Sequence, residues 1–568
     1  MIQADLWPFL PESEVDLRGV VALLCGSAAA AVLVLRWVGQ RRIQEKMEQA
    51  RRTRDLSLER MEKVARRFKQ QNPGIQAGHI LSLPLVELAE KLKEGSLSPE
   101  SVLYTYIDQA LEVTREVNCV TDFMQSCEEQ LREVQRQKER GLLYGVPVTL
   151  FPTPPKGHVS TGGLVQFLGR VEEEDSVIVQ VLKRQGAIPF VKTNVPQSMI
   201  NYDCSNLIFG QTVNPLNHKK SPGGSSGGEG ALIAGGGSVL GFGTDVAGSI
   251  RLPSSFCGLC GLKPTNNRLR YAPKDVDSLA LCMRALLCED MFRLDPTVPP
   301  VPFNEEVYSS SAPLRIGYYD GDGYFQPSPS MRRAVWETKK LLQEAGHTLS
   351  FYYLKMLKCW LGSGTLQLDW PDCLLSPLPP SKGDIVDPNL KSQINCYRLP
   401  ILVKKILALI LKPVVSHLYV YPLRTLIAMG DAQASTGWEE FIAKWRQLEL
   451  DVMLCPALGP AFNKAATSYT NLYNVLNFPA GVVPVTIGTE ADEEELKNYR
   501  GHYGDPWDKR LREVTMGLPV AVQCVALSWQ EELCLRFMKE VETLARKRKR
   551  NMGPDDDDDD DDANDLHL

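Results

Sequence analysis

The residues best suited to chemistry lie between Ser221 and Arg251. The chain there reads Ser221-Pro222-Gly223-Gly224-Ser225-Ser226-Gly227-Gly228-Glu229-Gly230, then Gly243-Thr244-Asp245-Val246-Ala247-Gly248-Ser249-Ile250-Arg251. Three chemistries compete for it. A phosphate loop would use glycine to let backbone N–H groups converge on an anion. No Gly-Lys-Ser/Thr follows, however, and no G-x-G-x-x-G opens a helix after a strand. A nucleophile elbow matches literally at Gly223-Gly224-Ser225-Ser226-Gly227, but it needs a buried strand running into it. The residues before it, Asn217-His218-Lys219-Lys220-Ser221-Pro222, are polar and broken by proline. The third reading uses both halves. A serine nucleophile needs a proton acceptor and donors for the tetrahedral oxyanion. Residues 243–248 can form a tight loop ending at Ser249, and Ser225 on the other glycine-rich loop can hand on the proton. Small residues suit both loops, because two backbones must close on one carbonyl.

Such loops need a rigid frame. Short apolar runs at 146–151, 188–191, 239–242, 452–454, 482–487 and 520–525 stand between glycine and proline punctuation. They read as buried strands of an α/β sheet wrapped by helices. Residues 85–94 have helical spacing with Gly95 to end them, and Ser98-Pro99 is an N-cap followed by proline at the first helical position. Leu103, Ile107, Ala110 and Leu111 continue an apolar face.

The formal charge of -6 is misleading, because Asp555 to Asp562 alone carry -8 and leave the rest of the chain at +2. A near-neutral body gives no case for nucleic acid. Fourteen cysteines form no framework; Cys257 and Cys260 make one C-x-x-C without a second pair at zinc spacing. They read as small buried residues, and free thiols suit a reducing, cytosol-facing body. Residues 19–35 are uncharged, with Glu12, Glu14, Asp16 and only Arg18 before them and Arg36, Arg41, Arg42, Lys46, Arg51, Arg52 and Arg54 after them. A signal peptide has the opposite polarity. The run reads as a single anchor with the body on the cytoplasmic side.

The expected organisation is therefore an N-terminal tail (1–18), a transmembrane anchor (19–38), a solvated charged helical connector (39–79) and a folded domain (80–545). A disordered basic and acidic tail (546–568) closes the chain. Residues 399–411 are apolar with Lys404, Lys405 and Lys412 close by, which suits an interfacial helix in a membrane-facing cap at about 399–430.

The sequence resembles the amidase-signature family. Residues 223–229 (Gly-Gly-Ser-Ser-Gly-Gly-Glu), Gly243-Thr-Asp with Gly248-Ser-Ile-Arg251, and residues 261–265 (Gly-Leu-Lys-Pro-Thr) carry the likeness. Residues 144–148, 193–199, 478–485 and 517–525, with the N-terminal anchor, resemble its membrane-anchored branch, which cleaves fatty-acid amides. The resemblance implies a mixed twisted central sheet wrapped by helices and a Ser–Ser–Lys mechanism without metal or cofactor. Ser249 would attack a fatty-acid primary amide or N-acylethanolamine, and Ser225 would relay the proton. The N–H groups of Val246, Ala247, Gly248 and Ser249 would hold the oxyanion, and Met199 would line the substrate site. It further implies a homodimer on an endomembrane.

One position breaks the pattern. Where the family carries its base lysine, immediately after Leu150, this chain has Phe151, which accepts no proton. Lys156 is the nearest substitute in sequence, but by resemblance it matches a non-catalytic lysine. A further family stretch is missing after Arg270. Two readings follow: an amide hydrolase acting through Ser249, or a lipid-amide-binding protein of the same fold with impaired chemistry.

Overall fold

The computed structural model describes residues 17–150, 155–199, 201–266, 271–322, 326–352, 386–388, 391, 433–459, 468–499 and 516–552. Phe151, Arg270 itself, the cap at 399–430 and the polyaspartate run lie outside them.

Among the described residues one mixed sheet of eleven strands organises the domain. Its strands are β1 (Val120–Phe123), β2 (Pro147–Leu150), β3 (Ile188–Thr193), β6 (Leu240–Phe242), β7 (Gly261–Lys263), β8 (Tyr271–Pro273), β9 (Arg315–Tyr318), β10 (Thr348–Phe351), β11 (Val452–Pro456), β12 (Ala480–Ile487) and β13 (Pro519–Ala526). Their order is β1-β3-β2-β6-β8-β7-β12-β13-β11-β9-β10; β4 (Ser205–Asn206) and β5 (Gly210–Gln211) form a separate hairpin. The β3-β2-β6 pairs are parallel, and the pairs from β6 through β8, β7, β12 and β13 to β11 are antiparallel. All six apolar runs are strands. β2, β11 and β13 are buried along their whole length, as expected of strands covered on both faces. The helix Pro99–Val117 begins where the sequence places it, with the Ser98 hydroxyl accepting from the Ser101 N–H at 3.0 Å. Gly95 ends the preceding helix at φ +89°, a left-handed cap that favours glycine.

Two expectations change. The charged connector is not a solvated rod: it continues the anchor as one helix, Leu17–Gln71, about 80 Å long. Its apolar N-terminal part is exposed, whereas Met47, Met61 and Ala65 are buried against the domain. The Ser57 hydroxyl donates to Asp122 Oδ1 of β1 at 3.0 Å, and Arg51 donates to the carbonyls of Ile208 and Leu207 at 2.6 and 2.7 Å. The folded body therefore starts some thirty residues before residue 80. The basic block 546–550 also departs from expectation, because it forms the last turns of the helix Glu531–Met552. Arg546 pairs with Glu542 at 2.8 Å and Arg548 with Glu337 at 2.6 Å, which holds that end in regular structure.

Candidate active site

Strand β6 runs straight into the second glycine-rich loop, and Ser249 sits at the end of that loop, just before the helix Arg251–Phe256. Ser225 stands just before the helix Gly227–Ala234. The two loops are joined at the serines: the Ser226 N–H donates to the Ser249 carbonyl at 3.1 Å. The Thr244 N–H donates to Ser226 Oγ at 3.3 Å, and a Cβ on Gly243 would overlap that hydroxyl. Only glycine lets the backbones approach so closely. Ser225 is buried and Ser249 is 8% exposed. Neither hydroxyl makes a hydrogen bond among the described residues.

The loop holding Ser249 is wound around Asp245. Its Oδ1 accepts from the Gly248 N–H (2.7 Å), Arg251 Nη2 (2.9 Å) and Asn474 Nδ2 (3.0 Å). Its Oδ2 accepts from Arg251 Nε (2.9 Å) and from the N–H groups of Ile250 and Arg251, both at 3.3 Å. Arg251 is fully buried; it donates onward to Gln523 Oε1 at 2.7 Å and to Asn474 Oδ1. Every polar atom of this ion pair thus has partners, the condition under which a buried pair is tolerated. Gly248 has φ +123°, and a Cβ there would stand 2.5 Å from Thr470 Oγ1. The Gly248 N–H, expected among the oxyanion donors, is committed to Asp245. The N–H groups of Val246, Ala247 and Ser249 make no hydrogen bond among the described residues.

A second buried acid lies behind the first loop. Glu229 accepts from the Thr193 hydroxyl (3.0 Å) and shares a hydrogen bond with the Thr149 hydroxyl, tying the helix Gly227–Ala234 to β3 and β2. Burial pushes its carboxyl up to about 8 against these hydrogen bonds, so it is largely protonated at neutral pH. A Cβ at Gly241, which pairs with Thr149 across β2 and β6, would overlap Glu229.

The sequence is matched by the amidase family model over residues 101–361 and 415–535. The chain belongs to the amidase-signature family. The fatty-acid amide hydrolase 1 of Sus scrofa is 49% identical to it over 96% of this chain and 99% of that protein. The vitamin D3 hydroxylase-associated protein of Gallus gallus is 63% identical over 77% of this chain and 98% of its own length. A solved fatty acid amide hydrolase shares the fold, with a TM-score of 0.68, 22% identity and coverage of 88% of this chain and 95% of that one.

Set against the fold of this amidase-signature chain, the expected site residues fall into two groups. Ser225, Val246, Ala247, Gly248 and Ser249 come together on the joined loops. Met199 makes no hydrogen bond to that frame; it stands in a one-turn segment at φ +58°, with its Cε toward Gly162, two residues before Asn201, whose carbonyl oxygen packs against Gly224. Lys156 is exposed, and its backbone N–H donates to Asp175 Oδ1 at 2.7 Å. Lys192 is the cross-strand partner of Leu150, and burial lowers its amine to about 8. It is nevertheless committed elsewhere, because its Nζ donates to the Val159 carbonyl. Its neighbour Thr193 reaches Glu229, and successive side chains leave a strand on opposite faces. Lys192 therefore points away from the serine side. Asp245, Arg251 and Glu229 belong to the sequence motifs, but local spacing gives them no role. Their signal was the placing of charged residues inside a glycine-rich, apolar stretch, where only a paired or neutral state is affordable.

Proposed function

We propose that this amidase-signature chain is a serine hydrolase for fatty-acid amides, cleaving primary amides or N-acylethanolamines to fatty acid and amine through an acyl-enzyme on Ser249. The observation that carries it is the joined pair of loops, with Ser225 on the loop facing Ser249 and with the N–H groups of Val246, Ala247 and Ser249 making no hydrogen bond among the described residues. Ser249 Oγ bonds to the carbonyl carbon; its proton passes to Ser225 and on to the leaving amine as the C–N bond breaks. Water then releases the fatty acid. The N–H groups of Val246, Ala247 and Ser249 receive the oxyanion, with Gly248 held by Asp245 as the brace of the loop. Met199 lines the acyl site in this reading. The similarity to fatty-acid amide hydrolase 1 and the exposed apolar helix at the N-terminus support a lipid substrate reached from a membrane.

Phe151 favours a second reading, in which the fold binds lipid amides with little turnover. Lys156 and Lys192 do not replace the base in the geometry above. Losing one member of a catalytic unit costs roughly 10⁴-fold or more in kcat. A fluorophosphonate probe separates the readings. Labelling at Ser249, mapped by mass spectrometry and lost in Ser249→Ala, supports the hydrolase. Saturable oleamide binding with no labelling of Ser249 supports the binder and overturns the first reading.

A further inference from the structure

The helix Ser468–Val475 lies more than 200 residues beyond the glycine-rich loops, yet it touches the Ser249 loop at two places one helical turn apart. Thr470 Oγ1 donates to the Ala247 carbonyl at 2.6 Å, and Asn474 Nδ2 donates to the Asp245 carbonyl at 2.8 Å. Residues at i and i+4 share one helix face. The two side chains therefore hold alternate carbonyls of one loop, Asp245 and Ala247.

A peptide unit is planar and trans, so its C=O and N–H point in opposite directions. Pulling the Asp245 carbonyl toward the helix turns the Val246 N–H away from it. Pulling the Ala247 carbonyl the same way turns the Gly248 N–H away as well, and that N–H is found on Asp245 Oδ1 at 2.7 Å. Both side chains are themselves fixed. Thr470 and Asn474 are buried, and Asn474 also bonds Asp245 Oδ1 and accepts from Arg251. The main chain beside them is tied to the sheet, because Gln523 Nε2 of β13 donates to the Tyr469 carbonyl at 3.0 Å. Tyr202 reaches the same Ala247 carbonyl only at 3.5 Å, which makes Thr470 its principal donor.

We propose that Thr470, backed by Asn474, is a positioning residue that sets the orientation of the oxyanion-binding loop from outside it. This rests on the reading of Ser249 as nucleophile. Donors aimed at a developing charge act only if their directions are fixed beforehand. Thr470→Val is the informative change. A methyl group in place of Oγ1 would stand 2.6 Å from the Ala247 oxygen, whereas carbon–oxygen contacts settle at about 3.3 Å or more. The peptide must rotate or shift by several tenths of an ångström. Displacements of about 1 Å at a reacting centre cost roughly 10²-fold in rate.

The test is fluorophosphonate labelling of the full-length, detergent-solubilised protein, resolved into a saturation constant and a maximal rate. In that reaction the Ser249 Oγ–phosphorus bond forms, fluoride leaves and the hydroxyl proton passes to Ser225 and solvent. The maximal rate is expected to fall roughly 10- to 100-fold in Thr470→Val with the saturation constant unchanged, and to recover in Thr470→Ser, which keeps the donor. Should Thr470→Val not fold, Thr470→Ala against Thr470→Ser gives the same comparison. Equal maximal rates in the wild type and in Thr470→Val or Thr470→Ala overturn the positioning role alone. So does a Thr470→Ser protein as slow as Thr470→Ala. A wild type unlabelled at Ser249 overturns the nucleophile reading, and the positioning role with it.

Discussion

Replacing Glu229 with glutamine should turn a pH-dependent part of the stability into a constant. The folded protein holds the Glu229 carboxyl at about 8 through burial, against about 4.5 for an unburied glutamate. Between those values the folded chain keeps a proton that the unfolded chain has released. Raising the pH therefore favours unfolding: the stability is fully present below about 4.5 and is lost progressively up to about 8. One proton over three pH units, from 5 to 8, amounts to on the order of 4 kcal/mol. Glutamine has no proton to lose, and it fits the same partners. Its oxygen accepts from Thr193, and its amide donates to Thr149 Oγ1, whose own hydroxyl turns to the Leu240 carbonyl at 3.4 Å. The second amide hydrogen has no evident acceptor, a cost of about 1 kcal/mol. Glu229→Gln should thus melt slightly lower than wild type at pH 5 and higher at pH 8. With an unfolding entropy of about 2 cal/mol/K per residue, the difference in Tm should swing by about 4 °C across that range. Thermal unfolding followed by tryptophan fluorescence at pH 5, 6, 7 and 8 measures it. Parallel curves with a constant offset would refute the claim that Glu229 is held protonated.

Other changes follow from the same geometry. Arg251→Met leaves the Asp245 carboxylate buried without its bidentate partner and should cost about 3–5 kcal/mol, read as a loss of soluble protein or a large fall in Tm. Gly248→Ala drives a Cβ to 2.5 Å from Thr470 Oγ1 at φ +123°, and fluorophosphonate labelling should fall at least about tenfold. Removing residues 1–38 should give a folded protein that needs less detergent. Removing residues 1–70 strips Met47, Met61, Ala65 and the Ser57–Asp122 bond, and should lower Tm by several degrees in a side-by-side melt.

Uninterrupted apolar runs between glycine and proline punctuation made the central strands legible in the sequence. β1, β7, β8, β9 and β10 were not, because they are three or four residues long and include Asp122, Lys263, Arg315 and Ser350. At that length an alternation carries too few positions to be told from a loop. The connector misled for a related reason: its buried positions are few and scattered among arginines and glutamates, and its aliphatic stems and polar tips pack together. The serine loops were legible because their glycines and serines are contiguous. What braces them was not: Asn474 and Gln523 meet Arg251 across 223 and 272 residues of chain. No local spacing encodes such a contact.

The most direct test of the account compares the hydrolysis of oleamide by the wild-type chain and by Phe151→Lys, both purified in the same detergent and titrated for labelled Ser249. A nucleophile loop whose sequence lacks the family's base predicts a slow wild type and a kcat raised by orders of magnitude in Phe151→Lys, toward the roughly 10⁴-fold that a base is worth. A wild type that turns over oleamide as fast as Phe151→Lys would contradict it.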